Sequence, residues 1–289
     1  MKKISIPILS IIAGATAVLS LILRIICLIF FYDNIGYYKT GAVLPIIANI
    51  LFALSLIFFF VTAIFSIDKK QSVEPTSKLS QYAALLPLGA LLFRIITLFT
   101  KVFNDTNVNK YFMLFSAIAA AIFFLLIFFA DKRLKNITFY IGIGALLYVF
   151  LCWMFAYFDF FIPINSTDKT FFYLACAGAI LFIFNEMCAY CSFVRSRFYY
   201  FSLFTAIITL SVASISAIIG YAFGIFKAYI TLESDIFFIA LLIYAIARLV
   251  DAQKSTLTVD EPATEDAAEK TEESEETEKA EEKNNDDSE

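Results

Sequence analysis

Histidine is absent from all 289 residues, which removes imidazole as metal ligand, haem ligand and general base. Charge is scarce too: 17% of residues are Asp, Glu, Lys or Arg, against about 25% in an average soluble domain. There is no phosphate-cradling glycine loop, no nucleophile elbow, no cluster of metal-ligand types and no pair of aspartates within an apolar stretch. The stretches 199–226 and 235–250 contain no lysine that could form a retinal-type Schiff base. No cofactor is indicated, and catalysis has no recognisable footing.

What the chain has instead is apolar length. Residues from the set AVILMFWYC make up 61% of it, compared with about 45–50% in ordinary globular domains. Nearly all of that excess lies in 1–250, in eight stretches long enough to cross a bilayer. A helix rises about 1.5 Å per residue and the hydrocarbon core is about 30 Å thick, so about 20 residues make one span. The expected spans are 5–32, 43–67, 82–103, 111–130, 137–158, 171–193, 199–226 and 235–250. This pattern excludes a soluble globular enzyme, a nucleic-acid-binding domain and a secreted disulfide scaffold. It predicts an all-α, polytopic membrane bundle of eight transmembrane helices, with the lipid bilayer as its first partner.

The net charge of −4 conceals two opposite parts. Residues 251–289 hold 16 Asp+Glu and 4 Lys, leaving 18 Lys+Arg and 10 Asp+Glu in 1–250. The body is therefore basic, and the acidity belongs to the C-terminal segment. That segment has no aromatic residue and almost no large aliphatic one, so it cannot bury enough surface to offset its ordering entropy. It reads as a disordered acidic cytoplasmic tail, either simply solvated or docking a basic protein partner.

Orientation follows from the connectors, because short cytoplasmic loops are enriched in Lys and Arg. With the N-terminus inside, the inner segments carry 12 (Lys2, Lys3; Lys69, Lys70, Lys78; Lys132, Arg133, Lys135; Arg195, Arg197; Arg248, Lys254). The outer ones carry 5: Lys39, Lys101, Lys110, Lys169 and Lys227. Both termini are thus expected in the cytoplasm and the chain in the cell membrane. Ala15-Thr16-Ala17 resembles a signal-peptide cleavage site. The apolar run continues to Phe31, however, and cleavage would leave a stub too short to span, so the first helix is read as uncleaved.

Two stretches are alike. LSLILRIICL (19–28) and GALLFRIITL (89–98) place Arg24 and Arg94 in register, and GALLYVFLC (144–152) repeats the same Gly-Ala-Leu-Leu with Val149 at the arginine position. The unit resembles a two-helix hairpin entering from the cytoplasm, repeated in tandem, the parallel arrangement found in some transporters. Chance matching of Leu/Ile/Phe-rich helices is the competing explanation. The small residues Ala213, Ser216, Ala217 and Gly220, with Gly220 and Gly224 as a GxxxG pair, suggest a tightly packed central helix or a dimer face. IFFLLIFF (122–129) offers bulk without polarity, so one side should face lipid. Tyr37, Tyr38, Tyr157, Tyr199 and Tyr200 fall where an interfacial aromatic belt would lie.

Three charges fall well within spans, where each costs at least about 2.5–3.5 kcal/mol near the bilayer centre: Arg24, Arg94 and Glu186. Helical rise puts both arginines about 10–14 Å below the outer surface and Glu186 about 14 Å from the inner one. In one reading Arg24 and Arg94 form a pocket for a small anion or lipid headgroup, with Asn185 and Glu186 contributing the counter-charge or a proton relay. In the other, the arginines pair with Glu186, Asn185 and helix carbonyls, or reach outward to Asp33 and Asp105, and merely hold the bundle together. Cys188 and Cys191 share a helix face as a C-x-x-C, a spacing compatible with a redox pair or a metal, or with two ordinary apolar cysteines. The functional expectation is a non-enzymatic membrane protein binding or moving a small anionic or amphiphilic solute. The competing class is a structural or accessory membrane subunit with no solute path.

Overall fold

The computed structural model of the chain describes residues 6–33, 37–66, 77–103, 108–130, 132–159, 166–191, 196–225 and 232–259. Lys2, Lys3, Asn34, Lys69, Lys70, Asp105, Arg195 and the acidic segment 260–289 lie outside them. Residues 1–253 form one compact unit and 254–289 a second.

Among the described residues the architecture is all-helical: α1 (Ile6–Phe31), α2 (Val43–Ser66), α3 (Lys78–Ala83), α4 (Leu85–Phe103), α5 (Val108–Phe129), α6 (Lys135–Tyr157), α7 (Thr167–Tyr190), α8 (Ser196–Leu210), α9 (Ser216–Ala222) and α10 (Leu232–Val259). A 3₁₀ turn, Lys132–Leu134, precedes α6, and a π-helical turn, Ser211–Ile215, joins α8 to α9. Seven of these helical stretches are long and apolar enough to cross a membrane. They match the first seven expected spans to within a few residues. The eighth, 235–250, lies inside α10, which stands outside that set and carries Glu233, Asp235 and Arg248. Helix α10 also runs on through 259, past the expected start of the tail at 251.

Local chemistry sets the helix ends. Ser77 caps α3, its Oγ accepting from the Leu79 amide at 3.1 Å. The expected span 82–103 is really α3 and α4 with a break at Ala84. Pro87 lacks the amide that would bond Ala83 and its ring crowds that carbonyl, so the helix cannot pass straight through. Ser166 caps α7, with Asp168 in the first turn where a negative charge suits the helix dipole. Gly224 adopts φ +67° just beyond α9. It therefore terminates the helix rather than completing a GxxxG packing face with Gly220.

Helices α4 to α8 pack each on the next in chain order, and α1 packs on α2, α8, α9 and the π turn. The centre is rich in aromatic contacts from α10: Phe237 meets Phe124 and Tyr148, Phe238 meets Phe172, and Tyr244 meets Phe124 and Phe182. The stretch Ser196–Ala222 is the most deeply buried of the seven, as its small residues suggested, and Val43–Phe65 the least. Gly178 permits the close α7–α8 approach, since a side-chain carbon there would strike the Thr209 hydroxyl. On α5, Ile122, Leu125 and Phe129 point outward while Phe123, Phe124 and Ile127 are buried, so IFFLLIFF does have one outward side.

Candidate functional site

The three intramembrane charges singled out by sequence do not meet one another. Each belongs to a separate ion pair with an acid or base from a different helix. Arg24, on the last third of α1, places Nη2 2.8 Å from Asp168 Oδ1 of α7. Its Nη1 donates to the Tyr38 hydroxyl, and its guanidinium carbon sits 4.2 Å above the Phe171 ring centroid. Tyr32 donates to the other Asp168 oxygen. Burial pushes the Tyr38 hydroxyl above its ordinary value while the adjacent guanidinium pulls it down, so it stays protonated at neutral pH. Tyr32 and Tyr38, joined by an antiparallel bridge, thus lie over the pair. Arg24 is 3% exposed and most of its donors are engaged, leaving only Nε without an acceptor.

Glu186 makes the second pair. Its Oε1 lies 2.8 Å from Arg248 Nε of α10 and accepts from Tyr199 at 2.5 Å, and its Oε2 accepts from Tyr244 at 3.0 Å. Arg248 lies over the Tyr199 ring as well. Both charged side chains are almost wholly buried. Tyr199 and Tyr200 are therefore buried rather than part of an interfacial belt, whereas Tyr37 and Tyr157 are exposed as expected. The acid at position 186 draws the tyrosine inward, because a buried carboxylate needs donors. Asn185 turns away, its Nδ2 donating to the Leu181 carbonyl of its own helix at 2.8 Å.

Arg94 is different. It is 5% exposed, and Nη1 lies 3.2 Å from Glu233 Oε2 in the first turn of α10. That contact closes no hydrogen bond, so Nη1 and Nε both lack an acceptor among the described residues. The Tyr148 hydroxyl beside it is fully buried and lies against Arg94 and Cys152 without closing a well-formed hydrogen bond. Cys152, Ser234 and Asp235 adjoin the same region, and Asp235 Oδ2 has no partner either. A buried donor without an acceptor costs roughly 1–3 kcal/mol, so several in one place mark either strain or a space for something else. Arg94 thus keeps two buried donors, Nε and Nη1, that close no hydrogen bond, and a guanidinium in that state can take another anionic group in place of the Glu233 carboxylate.

The five cysteines are free thiols. Cys188 and Cys191 are half-buried, Cys191 Sγ lies 3.9 Å from the Lys135 carbonyl, and no group of metal-ligating side chains occurs among the described residues. Lys169, counted as an outer loop charge, is buried and donates to the Asp159 carbonyl near the end of α6.

Sequence reading missed Asp168, Glu233 and Arg248: Arg248 counts there as an inner loop charge, and the two acids fall just outside the expected spans 171–193 and 235–250. A signal existed for two of them. Each acid is the second residue of its helix, separated by two polar residues from a long apolar run. Comparison of the chain with models of protein families, with curated proteins and with solved structures finds no match in any of the three.

Proposed function

We propose that this chain is a non-enzymatic, multi-pass integral membrane protein that binds or moves a small anionic or amphiphilic solute, with Arg94 as the anion contact. The observation that carries this reading is the buried Arg94 guanidinium, whose Nε and Nη1 close no hydrogen bond. Glu233 is the internal anion that a solute carboxylate or phosphate would displace. In this reading Arg24 and Glu186 are not solute contacts, since Asp168 and Arg248 already neutralise them. Asn185, bonded within its own helix, has no part in it either. The basic connectors support an orientation with both termini in the cytoplasm, which requires α10 to cross as the eighth span. The shared register of Arg24 and Arg94 in the sequence supports tandem hairpins.

A specific observation also favours the accessory-subunit reading. The Arg24–Asp168 and Arg248–Glu186 pairs are well-bonded clamps between helices, which a scaffold needs and a carrier must loosen. Native mass spectrometry of the full chain, extracted gently from its own membrane, separates the two. Solute binding predicts a retained anionic molecule that is lost in Arg94→Gln and kept in Arg133→Gln. A stoichiometric partner protein with no retained small molecule would overturn it and make the acidic segment 251–289 the next part to delete.

A further inference from the structure

A second place, remote from Arg94 in the fold, has the chemistry of a lipid site. A cavity of about 520 Å³ lies between α2 and the start of α8. Its walls are apolar (Phe60, Ala63 and Ile64 of α2, Phe201 of α8), and its one charged lining residue is Arg197. Pockets of several hundred Å³, largely apolar with a few placed polar groups, are the usual form of small-molecule sites.

Position decides the occupant. Phe65 ends one membrane-length helix and Ser196 begins another, so the cavity sits where two spans leave the bilayer, whichever side that is. Helix α2 is the least buried span, and Ile57, Phe58, Val61 and Phe65 near this end are exposed. The cavity therefore adjoins a face built for acyl chains. Phe60 and Phe201 pack edge to face at 5.3 Å and form its inner wall. Arg197 lies in the first turn of α8, where backbone amides and the helix dipole also favour a negative group. A guanidinium at the headgroup level above an apolar cleft matches one ligand: a phospholipid with a net negative headgroup.

We infer that the α2–α8 cleft holds an anionic phospholipid, its phosphate on Arg197 and one acyl chain against Phe60 and Phe201. This rests on the bilayer reading and is independent of the Arg94 site.

The test uses the full chain in mixed micelles containing equal phosphatidylglycerol and phosphatidylcholine, with retained lipids counted by native mass spectrometry. Wild type should keep one phosphatidylglycerol with about fivefold preference, the size expected of a single cation at a membrane surface. Arg197→Gln should remove the preference, Arg197→Lys should restore much of it, and Ile64→Trp, which fills the cleft but keeps the charge, should reduce retention of the bound lipid. Arg133→Gln, a basic side chain beside another helix start, should change nothing. Unaltered preference in Arg197→Gln, or full retention in Ile64→Trp, overturns the proposal. So does an equal loss in Arg133→Gln, which would mean general surface charge. Failure of the protein to enter phospholipid vesicles at all would instead overturn the bilayer reading. Loss of lipid preference with anion retention at Arg94 intact keeps the two sites distinct.

Discussion

Asp168 and Glu233 occupy the same position in their helices: each is the second residue, of α7 and of α10, and each receives an arginine from a helix running the opposite way. The arginines are Arg24 and Arg94, the two that align when 19–28 is laid on 89–98.

The two pairs should differ in strength. Arg24–Asp168 is closed at 2.8 Å and covered by Tyr32, Tyr38 and Phe171, while Arg94–Glu233 is longer, at 3.2 Å, and closes no hydrogen bond. Double-mutant cycles with Leu replacements, read by unfolding in detergent, should give a coupling of about 1–3 kcal/mol for the first pair and less than about 1 kcal/mol for the second. Equal couplings would remove the basis for treating Arg94 as the arginine kept available.

Removing one member of Glu186–Arg248 leaves a charge in the driest part of the bundle. Arg248→Leu strands a carboxylate whose remaining donors are Tyr199 and Tyr244. The expected loss is about 3–5 kcal/mol, and the double change Glu186→Leu with Arg248→Met should recover most of it. Thermal unfolding of the three variants decides this. A double variant as damaged as the single one would mean that the pair does more than neutralise itself.

If Glu233 is the anion that a solute replaces, then Glu233→Gln should strengthen retention of an anionic molecule and Tyr148→Phe should weaken it. One hydrogen bond to a charged group is worth about 1.5–3 kcal/mol, so the Tyr148 effect should be roughly tenfold or more. Competition by acetate and by inorganic phosphate, followed in the same native mass spectra, checks both. Unchanged retention in each variant would move the anion away from Arg94.

Span positions were legible because apolar length is set by bilayer thickness, a constraint that a single sequence displays in full. Two burial patterns were also legible: the outward face of Ile122 and Leu125, and the deep burial of the small-residue stretch around Ala213 and Ser216. Pairing was not. Which acid meets Arg24 depends on how six later helices close around α1, and Asp168 lies 144 residues away. Tyr199 looked interfacial because it begins a span, and only the presence of Glu186 across the α7–α8 contact turns it inward. The buried Arg94 donors that close no hydrogen bond are a property of packing that no spacing in the chain announces.

Gly178 gives the sharpest test of that packing. A Cβ built there would collide with Thr209 Oγ1 and lie 3.5 Å from Ala206 Cα, whereas at Gly89 it would meet nothing within 4 Å. Thr209 cannot easily swing aside, because it is buried, β-branched at χ1 and bonded to the Thr205 carbonyl at 2.8 Å. Gly178→Ala should therefore cost about 1–3 kcal/mol through overpacking. Gly89→Ala, in an open helix position, should stabilise by about 0.5–1 kcal/mol. Adding Thr209→Ala to Gly178→Ala removes the colliding oxygen and should restore most of the loss, leaving only a tight approach to the helix backbone. Unfolding midpoints of the four proteins in one detergent settle the matter. If Gly178→Ala is as harmless as Gly89→Ala, then α7 and α8 do not close to this distance. The Tyr199–Glu186 bond spans the same helix pair and would lose its geometry too.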